Sequence, residues 1–249
     1  MKKLTNVILM VLTAMSFSIV KDLVVDIFSF ESNERFQVYA PGTSVGLAEL
    51  INGEYQTGTL TFIDPYSHVS GMLSHPSHIE EIDNVTIHPA PVTNINKGDE
   101  DGAGTKDGSI ELYKFQGFVK KEAPHGVYGF LVDIPEVDGM DLVEIGYKHE
   151  ITKGPATILT VVEGNKVEEF EIEITNVKAN NKLSGFDFKI TDPRLLEITG
   201  GVVKGMSGSP IFQNGRLIGG ISAVYLDDYT TGLGVYIEAM LEEAGIDYK

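Results

Sequence analysis

The chain has 249 residues, with 19 Lys and Arg against 36 Asp and Glu, for a net charge of −17 at pH 7. That balance argues against binding a phosphate backbone, which needs a basic surface, and 42% hydrophobic with 22% charged residues excludes wholesale disorder. Cysteine is absent, so a disulfide, a thiolate nucleophile and a cysteine-ligated zinc site are all excluded.

Lys2 and Lys3 precede an apolar run from Leu4 to Val20, broken only by Thr5, Asn6, Thr13, Ser16 and Ser18. At ~1.5 Å per residue the run reaches about 26 Å, a little short of a ~30 Å hydrocarbon core. No small-x-small cleavage site follows, since the run meets Lys21-Asp22. A positive start before an apolar stretch is read as an export signal or N-terminal anchor in preference to a buried helix. The basic end would stay in the cytoplasm and the acidic remainder would cross. Residues 1–34 are therefore assigned to this segment and its connection, and 35–249 to the folded domain.

Downstream, 27 glycines and 10 prolines favour short strands and turns. Thr57 to Ile63 alternates like a half-buried strand and ends at the turn Asp64-Pro65. Asn94 to Gly108, rich in Gly, Asp and Asn, reads as a long solvated loop; its acidic residues lack the flanking helices and terminal Glu of an EF-hand calcium site. Ile158–Val162 and Val167–Ile174 flank Gly164-Asn165 as a hairpin, and Pro210–Phe212 and Leu217–Tyr225 flank Asn214-Gly215 as another. Ile237 to Ala244 alone has helical spacing, with Gly245 as its stop. Such a series of strands suggests a barrel or a sandwich.

The segment Gly205-Met-Ser-Gly-Ser-Pro210 has the makings of a nucleophile turn. Gly205 and Gly208 permit a sharp bend that projects the Ser207 hydroxyl, and the amides of Gly205 and Ser207 are candidate oxyanion donors. An ordinary Gly/Ser turn would look the same. A serine nucleophile needs a base, and six histidines are available: His68, His75, His78, His88, His125 and His149. His75 lies just beyond the Thr57 strand, with His68 and His78 as rivals; their spacing does not suit a zinc site. Asp192, before Pro193, is either a helix N-cap or the carboxylate that orients the imidazole.

Taken together, Thr59–Pro65, Ser74-His-Pro76, Lys153–Thr160, Lys189–Leu196, Thr199–Ile211 and Gln213-Asn-Gly215 resemble, in order, the SpoIVB-type sporulation serine peptidases of spore-forming Gram-positive bacteria. The resemblance runs from about Val38 to Asp247. It implies a mainly β, trypsin-like fold of two six-stranded antiparallel barrels with a cleft between them and a short C-terminal helix. It also implies a catalytic set of Ser207 as nucleophile, His75 as base and Asp192 as acid, with no cofactor and no metal. The expected enzyme is an exported serine endopeptidase acting outside the cytoplasm, between the membranes around a forming spore. It would cut a regulatory or spore-assembly protein, itself membrane-linked. The alternative is a catalytically silent binding module or a structural protein of the spore. Three departures stand out. The length before the Thr57 strand leads to the expectation that the PDZ domain of the SpoIVB proteins is lacking, Ser74 replaces the usual Gly before the histidine, and Ser222-Ala-Val224 stands where members often carry a histidine.

Overall fold

The computed structural model describes residues 35–49, 53–73, 75–77, 79, 82–99, 102–137, 140–177 and 185–248. The chain divides into two units, Met1–Arg35 and Phe36–Lys249, and the described strands and helices belong to the second. The export-segment assignment, residues 1–34, lies outside the described residues. Among the described residues no helix is long and apolar enough to cross a membrane.

The first half of the unit supplies β1 (Gln37–Tyr39), β2 (Ser44–Glu49), β3 (Glu54–Ile63), β4 (Val69–Met72), β5 (Val85–Pro89), β6 (Val92–Asn96), β7 (Thr105–Gly108), β8 (Gly117–Ala123), β9 (Gly126–Leu131) and β10 (Leu142–Glu144). Strands β3, β2, β5, β8, β9 and β4 pair antiparallel in that order, and β4 returns to β3 to close a six-stranded barrel. Its interior is filled by Val45, Leu47, Leu60, Met72, Ile87, Val119, Val127 and Leu131. Burying each such side chain fully contributes about 1.5–3 kcal/mol.

The second half supplies β11 (Gly154–Glu163), β12 (Lys166–Asn176), β13 (Gly185–Ile190), helix α1 (Pro193–Thr199), β14 (Pro210–Gln213), β15 (Arg216–Tyr225), β16 (Asp228–Tyr236) and helix α2 (Ile237–Ala244). Its six strands close a second barrel in the order β11-β12-β13-β16-β15-β14. The two hairpins read from the sequence are present, with Ile158 opposite Phe170 and Ile211 opposite Gly219. Asn214 and Gly215 both take positive φ, as a two-residue turn of the twist-matching kind requires. Phe186 and Phe188 fill this barrel from β13.

A third apolar cluster joins Phe62 and Tyr128 of the first barrel to Leu217, Val235, Ile237 and Met240 of the second, so the two barrels share a core at one edge. Helix α2 seals it. Glu243, on the helix's polar side, accepts hydrogen bonds from the His125 amide (3.0 Å) and Tyr128 hydroxyl (2.9 Å) and meets His125 Nδ1 at 2.7 Å.

Two sequence expectations change. The Thr57–Ile63 strand is not half-buried, because residues from Gly58 to Ile63 are buried on both faces. The second face is covered by a loop more than 140 residues away in sequence, a packing that local alternation does not encode. The Asn94–Gly108 stretch is not a loop but a hairpin of β6 and β7, held to the second barrel through a bridge between Thr105 and Lys204.

Candidate active site

Strand β14 begins at Pro210, and the six residues from Gly205 bend sharply into it. Gly205 and Gly208 adopt φ of +94° and +90°, a region that side-chain-bearing residues rarely enter. At Gly208 a Cβ would also lie 2.1 Å from the Thr59 carbonyl oxygen and 2.6 Å from the Leu73 amide nitrogen. The loop is fastened to both barrels. Thr59 and Thr61 donate their hydroxyls to the carbonyls of Gly205 (3.1 Å) and Gly208 (2.7 Å), and the Thr59 amide donates to the Ser207 carbonyl at 2.8 Å. On the other side the Gly208 amide donates to the Ile221 carbonyl at 2.7 Å.

With the carbonyls thus engaged, the amides of Met206, Gly208 and Ser209 are also paired, whereas those of Gly205 and Ser207 have no acceptor among the described residues. Both residues line a cleft of about 490 Å³ between the barrels, together with His75, Tyr55, Lys106 and Ser222–Val224. Two unpaired N–H groups beside a partly exposed serine hydroxyl form a place where negative charge on an oxygen is stabilised.

His75 follows β4 through Leu73, which takes a left-handed φ of +66°. Its Nδ1 lies 2.5 Å from the carbonyl oxygen of Pro76. A carbonyl only accepts, so Nδ1 of the neutral ring carries the proton and Nε2 is left as the basic nitrogen. The Ser207 hydroxyl donates to the Leu73 carbonyl, with the Ile221 carbonyl 3.5 Å away. His68, a rival in the sequence, is stacked on Phe130 and directs Nδ1 at the Leu131 carbonyl; it does not line the cleft. His78 lies outside the described residues.

Residues 48–241 match the SpoIVB peptidase S55 family, a span that includes all the residues of the cleft. The chain belongs to that family. It is a serine endopeptidase built on two β-barrels. The structure is similar to that of the Rv3671c protease from M. tuberculosis. The active form has 15% identity and a TM-score of 0.49 over 84% of this chain and 83% of that one. For its inactive form the values are 15% and 0.47 over 92% and 96%. The serine endoprotease from Yersinia pestis is similar at 10% identity and a TM-score of 0.44, over 82% of this chain and 61% of that one. No curated protein matches the chain.

Within this SpoIVB peptidase, Asp192, expected as the imidazole-orienting acid, is not among the residues that line the cleft with Ser207 and His75, and its contacts are those of a helix cap. It is the N-cap of α1, 3% exposed, and accepts from the Arg194 amide (2.9 Å), the Arg194 guanidinium (2.6 and 3.1 Å) and the Glu171 amide (3.3 Å). The cap and the triad role compete for the same oxygens, and the cap holds them. The Arg194 side chain, with the two amides, pulls the carboxyl down to about 2 from its usual value near 3.8. A carboxyl lowered on folding stabilises the protein above the unfolded pKa and loses that contribution as pH falls from about 4 to about 2. Asp192→Ala is therefore expected to lower stability by about 1–2 kcal/mol at neutral pH, and by less at pH 2–3, as read by urea unfolding.

Two residues of the site had no functional reading in the sequence. Thr59 belongs to a strand whose alternating threonines look solvent-facing, yet its hydroxyl holds the loop that begins at Gly205. Lys106 lies in the stretch read as a loop, but it is 4% exposed, its ammonium reaching the hydroxyls of Thr59 (3.3 Å) and Thr160 (3.4 Å). Among the described residues there is no group of three His, Asp or Glu side chains arranged to hold a metal ion.

Proposed function

We propose that this peptidase acts through Ser207 as nucleophile and His75 as general base, with the amides of Gly205 and Ser207 as the oxyanion hole. The observation that carries the reading is the pair of amides, without an acceptor among the described residues, beside the Ser207 hydroxyl in the cleft that His75 also lines. The hydroxyl leaves the Leu73 carbonyl, donates to Nε2 of His75 and attacks the scissile carbonyl. The imidazole then returns the proton to the leaving amine. The substrate lies extended. Strand β14 begins at Pro210, opposite Gly220, so on the side away from β16 the cleft-lining Ser222–Val224 of β15 has no strand paired to it among the described residues. A peptide can add there as a further strand.

Family membership supports a physiological setting in sporulation, with a regulatory or spore-assembly protein, linked to a membrane, as the proposed substrate. The Lys2–Val20 run supports export or anchoring, with the peptidase domain outside the cytoplasm, between the membranes of the forming spore. The deciding experiment treats the purified protein with a fluorophosphonate and maps the adduct by mass spectrometry. Modification of the peptide carrying Ser207, with parallel loss of casein hydrolysis, is expected. Hydrolysis that survives complete modification, or an adduct on another serine, would overturn the assignment.

A further inference from the structure

Lys106 puts a cation beneath the candidate oxyanion hole. Strand β7 is docked on the nucleophile loop, with the Lys106 amide donating to the Lys204 carbonyl at 2.8 Å and the Lys204 amide to the Gly104 carbonyl at 2.9 Å. The side chain passes under Gly205. Its Cε is 3.3 Å from where a Cβ on Gly205 would stand, a second reason for glycine there. The ammonium ends among three buried hydroxyls, those of Thr59, Thr160 and Ser209; Ser209 Oγ lies 3.0 Å from Thr160 Oγ1 and 3.5 Å from Thr59 Oγ1.

Every element packed against it presents neutral groups. Thr59 comes from β3, Thr160 from β11, and Ser209 and the Gly205 backbone from the loop. The charged residues beside it in the hairpin and loop, Asp107 and Lys204, are exposed, and the Asp107 carboxylate is engaged by Asn96 and Thr105. Among the described residues Lys106 contacts no carboxylate. Desolvation lowers its pKa to about 7. A buried cation without a counter-ion destabilises a fold, and a methionine of similar length would pack there without that penalty.

The hydrogen-bond chain indicates what the cation does. The Thr59 hydroxyl has one proton, and Lys106 occupies its acceptor side, so that proton is directed to the Gly205 carbonyl. We propose that Lys106 is a positioning residue of the peptidase: through Thr59 it fixes Gly205, and it places positive charge behind the two amides that meet the substrate oxygen as that oxygen becomes negative. This rests on the reading of Ser207 as nucleophile.

The test compares wild type, Lys106→Met, and Lys106→Cys alkylated with bromoethylamine while unfolded and then refolded. The last rebuilds an ammonium on a thioether stem, and the chain has no other thiol to alkylate. The readouts are the rate of fluorophosphonate labelling at Ser207 and the Tm. During labelling an Oγ–P bond forms, fluoride leaves, and the phosphoryl oxygen occupies the oxyanion site. At pH 6.5 Lys106→Met is expected to label at least about tenfold more slowly while its Tm rises by about 3 °C or more. The rebuilt ammonium returns the rate to within about threefold of wild type. A lysine whose pKa is lowered on folding leaves the unfolded chain with more protons between about pH 7 and 10, so wild-type stability rises with pH there and that of Lys106→Met does not. In the same range the wild-type labelling rate falls toward that of Lys106→Met. Labelling of Lys106→Met within twofold of wild type overturns the proposal for Lys106 alone. A slow Lys106→Met whose Tm falls, unrepaired by the rebuilt ammonium, reduces Lys106 to packing and also overturns it. A wild type that never labels at Ser207 overturns the nucleophile and Lys106 together.

Discussion

Replacing Ser207 by alanine is expected to lower peptide-bond turnover by about 10⁴–10⁶-fold while leaving the protein folded. The size follows from losing the covalent route: without the hydroxyl no acyl-enzyme forms, and the Gly205 and Ser207 amides assist only attack by water. A loss of 10⁵ corresponds to about 7 kcal/mol of transition-state stabilisation. The structural consequence is far smaller. The side chain donates a hydrogen bond to the Leu73 carbonyl, worth about 1 kcal/mol. The backbone bonds that fasten the loop, from Thr59 to the Ser207 carbonyl and from Gly208 to the Ile221 carbonyl, are untouched by the substitution. Casein hydrolysis and Tm measured on the same preparations check both halves. Ser209→Ala is the internal control. Its hydroxyl is wholly buried against Thr160, so its loss should change turnover by less than about tenfold. Unchanged turnover in Ser207→Ala would remove Ser207 from the mechanism.

How far the residues announced this arrangement depends on the range of the interaction that fixes each one. Hairpins β11–β12 and β14–β15 and helix α2 could be read because their signals are local: period-two alternation, Asn-Gly, and a glycine stop. The sharp turn from Gly205 to Gly208 could be read for the same reason, since φ near +90° at both glycines is a demand on single residues. The burial of Thr59 and Thr61 could not. Alternation in β3 correctly separates two faces, but what covers the threonine face is a loop from the other barrel. Lys106 was hidden for a like reason. Gly, Asn and Asp around it are the composition of a solvated loop, and only the bridge from Thr105 to Lys204 turns its side chain inward. Asp192 shows the opposite case, in which a local rule was legible and prevailed. Asp before Pro at a helix start specifies a cap, and the cap occupies the oxygens that the family resemblance assigns to histidine.

His75→Gln carries the second large expected loss, about 10³–10⁵-fold in turnover, because a glutamine amide can sit beside Ser207 but cannot take its proton. The comparison with Asp192→Asn gives the result its meaning. In a Ser-His-Asp arrangement, converting the acid to its amide is nearly as damaging as losing the base, since the ring is then held in the wrong tautomer. Here the Pro76 carbonyl, 2.5 Å from Nδ1, already selects the tautomer with a basic Nε2, and Asn at position 192 still offers an oxygen to cap α1. Asp192→Asn is therefore expected to keep turnover within about threefold of wild type. A protonated imidazole cannot take the Ser207 proton, so activity should decline as the pH is lowered. Measuring turnover of both variants from pH 5 to 9 separates the two arrangements. If Asp192→Asn falls as far as His75→Gln, the carboxylate reaches the imidazole in the working enzyme, and α1 must release its cap for catalysis to proceed.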